Sequence, residues 1–354
     1  MQVSDFNYEL PEELIAQTPI KKRDESRLMV LDRSKKTIEH KIFKDIIDYL
    51  KPGDVLVRNN TKVIPARIYG KKERGGNKMK IAVIPNHTKD IGLRATKTLL
   101  ETLSGRAEIF MSRNFSESGL PAVFLGEDLF SEADAVIVLG GDGTILQAAE
   151  PCAAGNIPIM GINLGTIGFM TEIEAEDIQH AVTRLLSGDY RIENRMLLNI
   201  CVRKDENISS YIALNDLVLS KPDAQMISID LFCNNEKMNA YIADGLIIST
   251  PTGSTGYSLS AGGPVADPTM ELFIATPICA HRLSSRPALL NPQKVIRLCL
   301  QEDGNRQADV TIDGKVRERI ESGDFVEITK SEKTIPLIRM GTQSFYDTLK
   351  QKLS

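Results

Sequence analysis

Nothing in the sequence provides for a membrane, a covalent framework or a repeat. No apolar run reaches bilayer-spanning length, and the N-terminal MQVSDFNYELPEE is acidic, unlike a secretory signal, so a cytoplasmic protein with no membrane partner is expected. The five cysteines (Cys152, Cys201, Cys233, Cys279, Cys299) are odd in number and widely spaced, without a Cys-x-x-Cys pair. A disulfide framework or zinc site is therefore not expected, and the cysteines read as reduced core thiols. There is no internal repeat and no low-complexity tract.

What is present is ordinary for a soluble globular chain: 354 residues, 42% hydrophobic and 25% charged, enough for two or three cores. The net charge of −4 hides an asymmetry, because residues 1–78 are net basic and residues 79–354 net acidic. That break suggests two pieces of different origin, joined at the polar, glycine-containing KKERGGNK that precedes Met79.

After the junction, strands and helices alternate. MKIAVIP (79–85), Ala107–Met111, Ala135–Leu139 and Pro158–Asn163 read as buried strands, with helices over Thr88–Leu103, from Ile145 and over Asp177–Leu186. Such alternation predicts a parallel sheet with helices on its faces, and ligands beyond the carboxyl ends of its strands. From about Tyr190 the pattern becomes consecutive strands: MLLNICVR, YIALNDLVLS, ISIDLFCN, AYIADGLIIST, KVIRLCLQ, ADVTIDG and DFVEIT. The expected fold class is thus a parallel α/β domain (79–189) followed by an antiparallel β-rich domain (190–336). A tail (337–354) carries Phe345, Leu349 and Leu353 on one helical face and is expected to dock on the α/β domain. A small β-containing fragment (1–78) precedes them.

Four segments carry chemistry. In AVIVLGGDGT (135–144) a buried strand runs into Gly140, Gly141 and Gly143, whose missing Cβ atoms let backbone N–H groups approach phosphate oxygens. The following helix would add its positive N-terminal end. Asp142 among phosphate-binding amides suits a cation holder or a base for an attacking hydroxyl; a hairpin turn is the competing reading. The second segment is GINLGTIGFMTE (161–172), with tight approaches at Gly165 and Gly168; Phe169 reads as core. LNDLVLSK (214–221) sets Asn215 beside Asp216, either a ligand-binding pair or an ordinary strand edge. The fourth, DGLIISTPTGSTGYSLSAGGP (244–264), packs seven Ser or Thr and five Gly into one stretch, suited to ribose hydroxyls and amides. Asp244-Gly245 within it also fits a plain turn. His281, beside Arg282 and Arg286, reads as structural.

At these residues the chain closely resembles bacterial NAD kinases, from Met79 to the C-terminus. GGDGT alone is shared with lipid kinases and relatives of phosphofructokinase; PTGSTGYSLSAGGP in register with GGDGT, NLGTIGF and Asn-Asp is what separates them. The resemblance implies an NAD kinase-like two-domain fold. It implies ATP-dependent phosphorylation of the 2′-hydroxyl of the adenosine ribose of NAD, with Mg2+ or another divalent cation accompanying ATP. It further implies Asp142 as catalytic residue and nucleotide contacts at Asp142, Gly143, Asn215, Asp216, Asp244, Thr255, Gly256, Tyr257, Ser258, Leu259 and Ser260. A homodimer or homotetramer is implied too. Many relatives carry Glu where Asp216 stands and Ala where Gly256 stands; basic side chains that some relatives place near the NAD site correspond here to Met226 and Ile242, so no role is implied at those two positions. The alternatives are a GGDGT-type kinase of another hydroxyl, such as a lipid, or a non-catalytic NAD-binding or tRNA-binding protein.

The first piece resembles the N-terminus of S-adenosylmethionine:tRNA ribosyltransferase-isomerases of queuosine biosynthesis, in SDFNYELPEELIAQTP and NNTKVIPAR, as far as Lys72. Glu9–Ile15 reads as a helix start, RLMVLDRSKKTIEHKIF as two strands around a turn, and KPGDVLVRNNTKVIPARIYG as a turn and strand. Asn60 replaces an Asp common in that family. A fragment of that fold is not expected to keep its chemistry, and nucleic-acid binding is not expected from its charge. Arg74-Gly75-Gly76 can be encoded by a purine run and Asn77-Lys78 by an A-rich spacer, as in a ribosome-binding site read through in frame. Met79 is therefore expected to be a genuine or ancestral start, with residues 1–78 a fusion remnant; a functional fusion is the competing reading.

Overall fold

The computed structural model describes residues 22–51, 78–166, 168–282, 284–301, 307–341 and 344–353. The chain separates into two compact units, Met1–Gly70 and Lys71–Ser354. The helix start at Glu9–Ile15, both motifs of the first resemblance, the strand expected after Lys51 and the junction up to Asn77 lie outside the described residues.

In the first unit, β1 (Arg27–Asp32) and β2 (Thr37–Ile42) form the expected antiparallel hairpin. Asp32 shapes its turn by accepting the N–H groups of Ser34 and Lys35 at 2.9 and 3.0 Å. A short 3-10 run, Phe43–Tyr49, follows.

The second unit begins with β3 (Met79–Pro85), β4 (Ala107–Ser112), β5 (Val123–Leu125), β6 (Ala135–Gly140) and β7 (Ile159–Asn163), all parallel, in the spatial order β5-β4-β3-β6-β7. Ile81–Val83 and Ala135–Leu139 are wholly buried because helices cover both faces. α1 (Arg94–Leu103) and α3 (Ile178–Ser187) pack Leu99, Leu103, Ile178 and Leu185 on one face. α2 (Asp142–Gly155) packs Ile145, Ala148 and Cys152 on the other. A two-residue strand, β8 (Ile173–Glu174), pairs with β7. The direction of strand succession reverses between β3 and β6, which opens the ligand crevice beyond their carboxyl ends.

Two helix starts differ from expectation. Residues 88–93 turn before α1 begins, because the Asn86 carbonyl takes the N–H groups of Lys89 and Asp90 at 3.1 and 2.8 Å. Asp90 then caps α1, accepting the N–H groups of Ala95 and Thr96 at 3.0 and 2.9 Å. The helix after GGDGT begins at Asp142 rather than Ile145, with Thr144 already bonded to the Gly141 carbonyl at 2.9 Å.

The β-rich half comprises β9 (Arg191–Lys204), β10 (Asn207–Ala213), β11 (Asp216–Ser220), β12 (Ile227–Cys233), β13 (Glu236–Ala243), β14 (Gly245–Ser249), β15 (Phe273–Ile278), β16 (Ala288–Leu290), β17 (Ile296–Leu300), β18 (Gln307–Ile312), β19 (Lys315–Glu321) and β20 (Phe325–Arg339). One six-stranded sheet has the order β16-β15-β14-β11-β18-β19. The remaining strands continue the parallel sheet into one of twelve strands, because β20 pairs with β9 along most of its length and with β7 at Leu337–Ile159. Leu198, Ile229 and Leu231 of this sheet pack against Leu217, Ile248 and Val310 of the other. β20 is far longer than DFVEIT and runs through the boundary drawn at residue 336. α4 (Tyr257–Ser260) is a single turn, and α5 (Phe345–Leu353) forms the tail.

Two runs read as continuous strands are each broken. YIALNDLVLS divides at Leu214-Asn215 into β10 and β11, and AYIADGLIIST divides at Asp244 into β13 and β14. In both, the first half pairs in the large sheet and the second in the six-stranded one. An apolar run fits either sheet, so periodicity does not show the corner where the chain changes sheets. The cysteines are all free, yet only Cys152 is buried and Cys279 is exposed. Core placement thus holds for Cys152 alone.

Candidate active site

The α/β side of the site is built around Asp142. β6 leads directly into α2, so GGDGT is a strand-to-helix turn and not a hairpin. Gly140 is required by space: a Cβ there would lie 2.9 Å from Thr144 Cβ and 3.1 Å from Asn86 Cβ. The Asp142 carboxylate, in the first turn of α2, accepts the N–H of Phe169 at 2.8 Å with one oxygen and that of Met170 at 3.0 Å with the other. A Cβ at Gly168 would fall on that carboxylate and on the Thr171 hydroxyl, which ties the second glycine segment to the first. Phe169 is half-buried against the tail and not in the core: its ring is 5.7 Å from Phe345, with Lys352 Nζ 4.8 Å from its centre.

Buried charges support this loop from behind. Arg339, at the end of β20, donates to the carbonyls of Phe169 at 3.0 Å and Met170 at 3.3 Å. It pairs with Glu193 at 3.2 Å and Glu172 at 3.5 Å. Glu193 also pairs at 2.6 Å with Arg195, which is 1% exposed and donates to Thr252 Oγ1 at 3.2 Å. Burial works to raise the Glu193 carboxyl, but Arg195 and Arg339 outweigh it and hold it below the usual range. Burial and the neighbouring Arg339 bring Arg195 down to about 10, still charged at neutral pH.

The β-rich side meets α2 at a cavity of about 390 Å³, lined by Leu146 of α2 with Asn215, Asp216, Tyr257, Thr311 and Asp313. Asn215 occupies the β10–β11 corner, and its buried Oδ1 has no hydrogen-bond partner. The position of a Cβ on Gly256 lies 3.7 Å from Asn215 Nδ2 and 4.0 Å from Asp216 Oδ2, so these three residues converge. Asp313 holds the corner, accepting the N–H groups of Leu214, Asn215 and Asp216 at 2.8, 2.8 and 3.1 Å. Burial, reinforced by the Asp313 carboxylate, pushes Asp216 up to about 7. Burial also raises Asp313, opposed by its three N–H donors, so Asp216 is the partner that carries the proton.

The remaining expected residues are placed unequally. Gly256 and Tyr257 sit with Asn215 and Asp216, and Tyr257 stands 49% exposed at the cavity; Thr255 is half-buried in the preceding turn and donates its hydroxyl to the Thr252 carbonyl at 3.3 Å. Ser258 turns inward, its hydroxyl 2.9 Å from Thr276, and Ser254 bonds the Pro251 carbonyl at 2.6 Å. Much of the hydroxyl density in this segment therefore stabilises the turn itself. Gly143 faces open space, Leu259 is half-buried and Ser260 is exposed. Asp244 lies at the far end of β14 from Asp216, whose register partner is Ser249, and it pairs with Lys221 at 2.8 Å. His281 is exposed and enters no buried cluster.

Sequence reasoning passed over Asn86, Glu193, Arg195, Asp313 and Arg339. A charge inside the apolar run NRMLLNI was the available signal for Arg195, and the Asp-Gly ending of ADVTIDG for Asp313. Arg339, alone at a strand end, left none.

Comparison with known proteins agrees with this geometry. The chain matches the ATP-NAD kinase N-terminal domain over residues 94–190 and the ATP-NAD kinase C-terminal domain over 214–340. Residues 3–117 match the Queuosine biosynthesis protein family, a longer stretch than the resemblance ending at Lys72. NAD kinase of Thermoanaerobacter sp. (strain X514) is 39% identical over 284 residues, 78% of this chain and 99% of the relative. That of Acetivibrio thermocellus is 36% identical over 280 residues, 78% and 97%. An NAD kinase from Archaeoglobus fulgidus, solved in complex with ATP, superposes with TM-score 0.59 at 25% identity, covering 78% of this chain and 98% of that one. Yeast NADH kinase complexed with NADH shares the fold, with TM-score 0.69 at 22% identity over 78% of this chain and 86% of that one. With nearly the full length of these bacterial enzymes matched by residues that build one crevice and one cavity, the chain belongs to the NAD kinase family.

Proposed function

We infer that Asp142 receives the ribose proton when this member of the NAD kinase family transfers the γ-phosphoryl group of ATP to the 2′-hydroxyl of the adenosine ribose of NAD, giving NADP. The observation that carries this is the position of α2. Its first turn holds Asp142 at the crevice of the parallel sheet, and its next turn places Leu146 in the wall of the Asn215–Asp216 cavity. Donor phosphates at the helix N-terminus and an acceptor ribose in the cavity would then meet at Asp142.

Asn215 supplies an amide whose oxygen is free for a donor on NAD, while Asp216, Gly256 and Tyr257 shape the wall around it, and Thr255 acts through the turn that precedes them. Gly143, Leu259 and Ser260 contribute backbone and rim contacts. Ser258 acts through the turn it stabilises. Asp244, a strand's length from Asp216, is suited to the more distant half of the dinucleotide. The two amides on Asp142 leave further lone pairs on both oxygens, so it can still accept a proton or meet a cation. Among the described residues no three ligating side chains cluster as a metal site. A divalent cation such as Mg2+ would therefore be held chiefly by the donor phosphates, with Asp142 as the protein's carboxylate. When bound it would offset charge on the transferring phosphoryl group. No described helix is long and apolar enough to cross a membrane. Assembly as a homodimer or homotetramer in the cytoplasm completes the proposal.

The test is NADP formation by purified protein with ATP, magnesium and NAD, with diacylglycerol as a competing acceptor. Phosphorylation of the lipid and not of NAD would overturn the reading. Asn215→Ala should raise KM for NAD by about tenfold while KM for ATP stays within about twofold, as expected for loss of a hydrogen bond to one substrate.

A further inference from the structure

Lys89 stands exposed at the crevice, its charge unpaired among the described residues. It lies in the turn Asn86-His87-Thr88-Lys89-Asp90 after β3, and its ammonium makes no hydrogen bond or ion pair among the described residues. The turn itself is firmly built. Asn86 N–H donates to the Leu139 carbonyl at 2.8 Å, fastening the end of β3 to the end of β6. The Asn86 side-chain oxygen accepts the N–H and hydroxyl of Thr88 at 3.1 and 2.7 Å, and its amide donates to Thr144 Oγ1 at 3.0 Å. Lys89 is thus anchored to the helical turn that carries Asp142.

Its ammonium faces the backbone of two glycines. The position of a Cβ on Gly141 is 2.8 Å from Lys89 Nζ, and that on Gly165 is 3.9 Å away. Gly141 caps α2, a fourteen-residue helix, and Gly165 follows β7 with φ 147. A side chain at 141 would displace the lysine head; glycine instead lets the ammonium stand close beside the positive end of a helix. Two buried oxygens at this end of the sheet have no partner. Thr171 Oγ1, on a residue 1% exposed, lies with an Asp142 oxygen against the same point of Gly168, and Asn163 Oδ1, also on a residue 1% exposed, ends β7.

We propose that Lys89 is the cation that grips the terminal phosphates of the nucleotide donor against the Gly141 and Gly165 turns. This rests on the ATP-dependent reading above and adds to it the side chain that holds the donor. Lysine suits the task because a compact charge on a flexible stem can follow the phosphoryl group as it moves toward the acceptor. It also meets negative charge where amides alone would supply only partial dipoles.

The experiment compares the full chain with Lys89→Met and Lys89→Arg, measuring binding of tripolyphosphate, ATP, AMP and NAD by calorimetry and then steady-state kinetics. Lys89→Met should weaken tripolyphosphate and ATP by at least about tenfold, as for loss of a charge-assisted contact, and leave AMP and NAD within about twofold. Lys89→Arg should recover most of the phosphate affinity. Unchanged tripolyphosphate affinity in Lys89→Met, an equal loss for NAD, or Lys89→Arg as weak as Lys89→Met would each overturn the proposal. Since the side chain is exposed, melting temperatures should match the parent. If the parent chain makes no NADP from ATP, it is the activity reading that fails, and tripolyphosphate binding still decides the role of Lys89.

Discussion

Asp142 and Arg339 hold the same two residues from opposite sides. The carboxylate takes the N–H groups of Phe169 and Met170, and the guanidinium donates to their carbonyls. The loop between β7 and β8 is thereby clamped against the start of α2 by charges from α2 and β20, elements far apart in the chain. Glu193 and Arg195 extend the clamp to Thr252 in the turn that leads to the Asn215–Asp216 cavity.

Asp142→Asn should lower kcat by about a hundredfold or more, the scale of lost general-base catalysis. Asn offers one oxygen to two backbone donors, so a stability loss of roughly 1 kcal/mol is also expected. Turnover near that of the parent, in a variant shown by melting to be folded, would remove Asp142 from the chemistry.

Gly168→Ala tests the clamp without touching a charge. The added Cβ would fall on the Asp142 carboxylate and the Thr171 hydroxyl, so it must push one of them aside. A fall in kcat of about tenfold or more, with KM for NAD little changed, is the expected signature of a misplaced catalytic group. Equal shifts in both constants would point to general loosening instead.

Asp216 links stability to pH. Its carboxyl is raised from 3.8 to about 7, first by burial and then by Asp313. The folded protein therefore binds this proton more tightly than the unfolded chain, and stability from this site falls as pH rises from about 4 through about 7. Asp216→Asn, neutral at every pH, should melt higher than the parent above pH 7, with the advantage vanishing toward pH 4. Parallel melting curves for the two proteins across this range would contradict the assignment.

Removal of residues 1–78 addresses the fusion. Lys71–Ser354 forms its own compact unit, and the relatives match only about three quarters of the chain. A chain shortened to begin at Met79 should fold and make NADP with kcat within about twofold of the full chain, since substitutions away from a site usually leave it intact. The full chain should show no ribosyl transfer to tRNA. Aggregation or inactivity of the shorter protein would make the first unit part of the enzyme.

Much of this was legible in the sequence because it is local. Buried runs such as AVIVLG, the glycines that let backbone approach a ligand, and the change from alternating elements to consecutive strands each reside in a few neighbouring residues. They sufficed for a parallel α/β half followed by a β-rich half, and for singling out Asp142, which lies at the sheet crevice, and the Asn215-Asp216 pair, which lines a cavity. What only tertiary structure decided is non-local. The corners at Asn215 and Asp244 arise because one apolar run serves two sheets, and nothing in its pattern marks the crossing. Ser258 faces Thr276 and not a ligand because a one-turn helix points it inward. Glu193, Arg195 and Arg339 become one buried cluster only when β9 and β20 pair, since the attraction between charges depends on their distance in space and not along the chain.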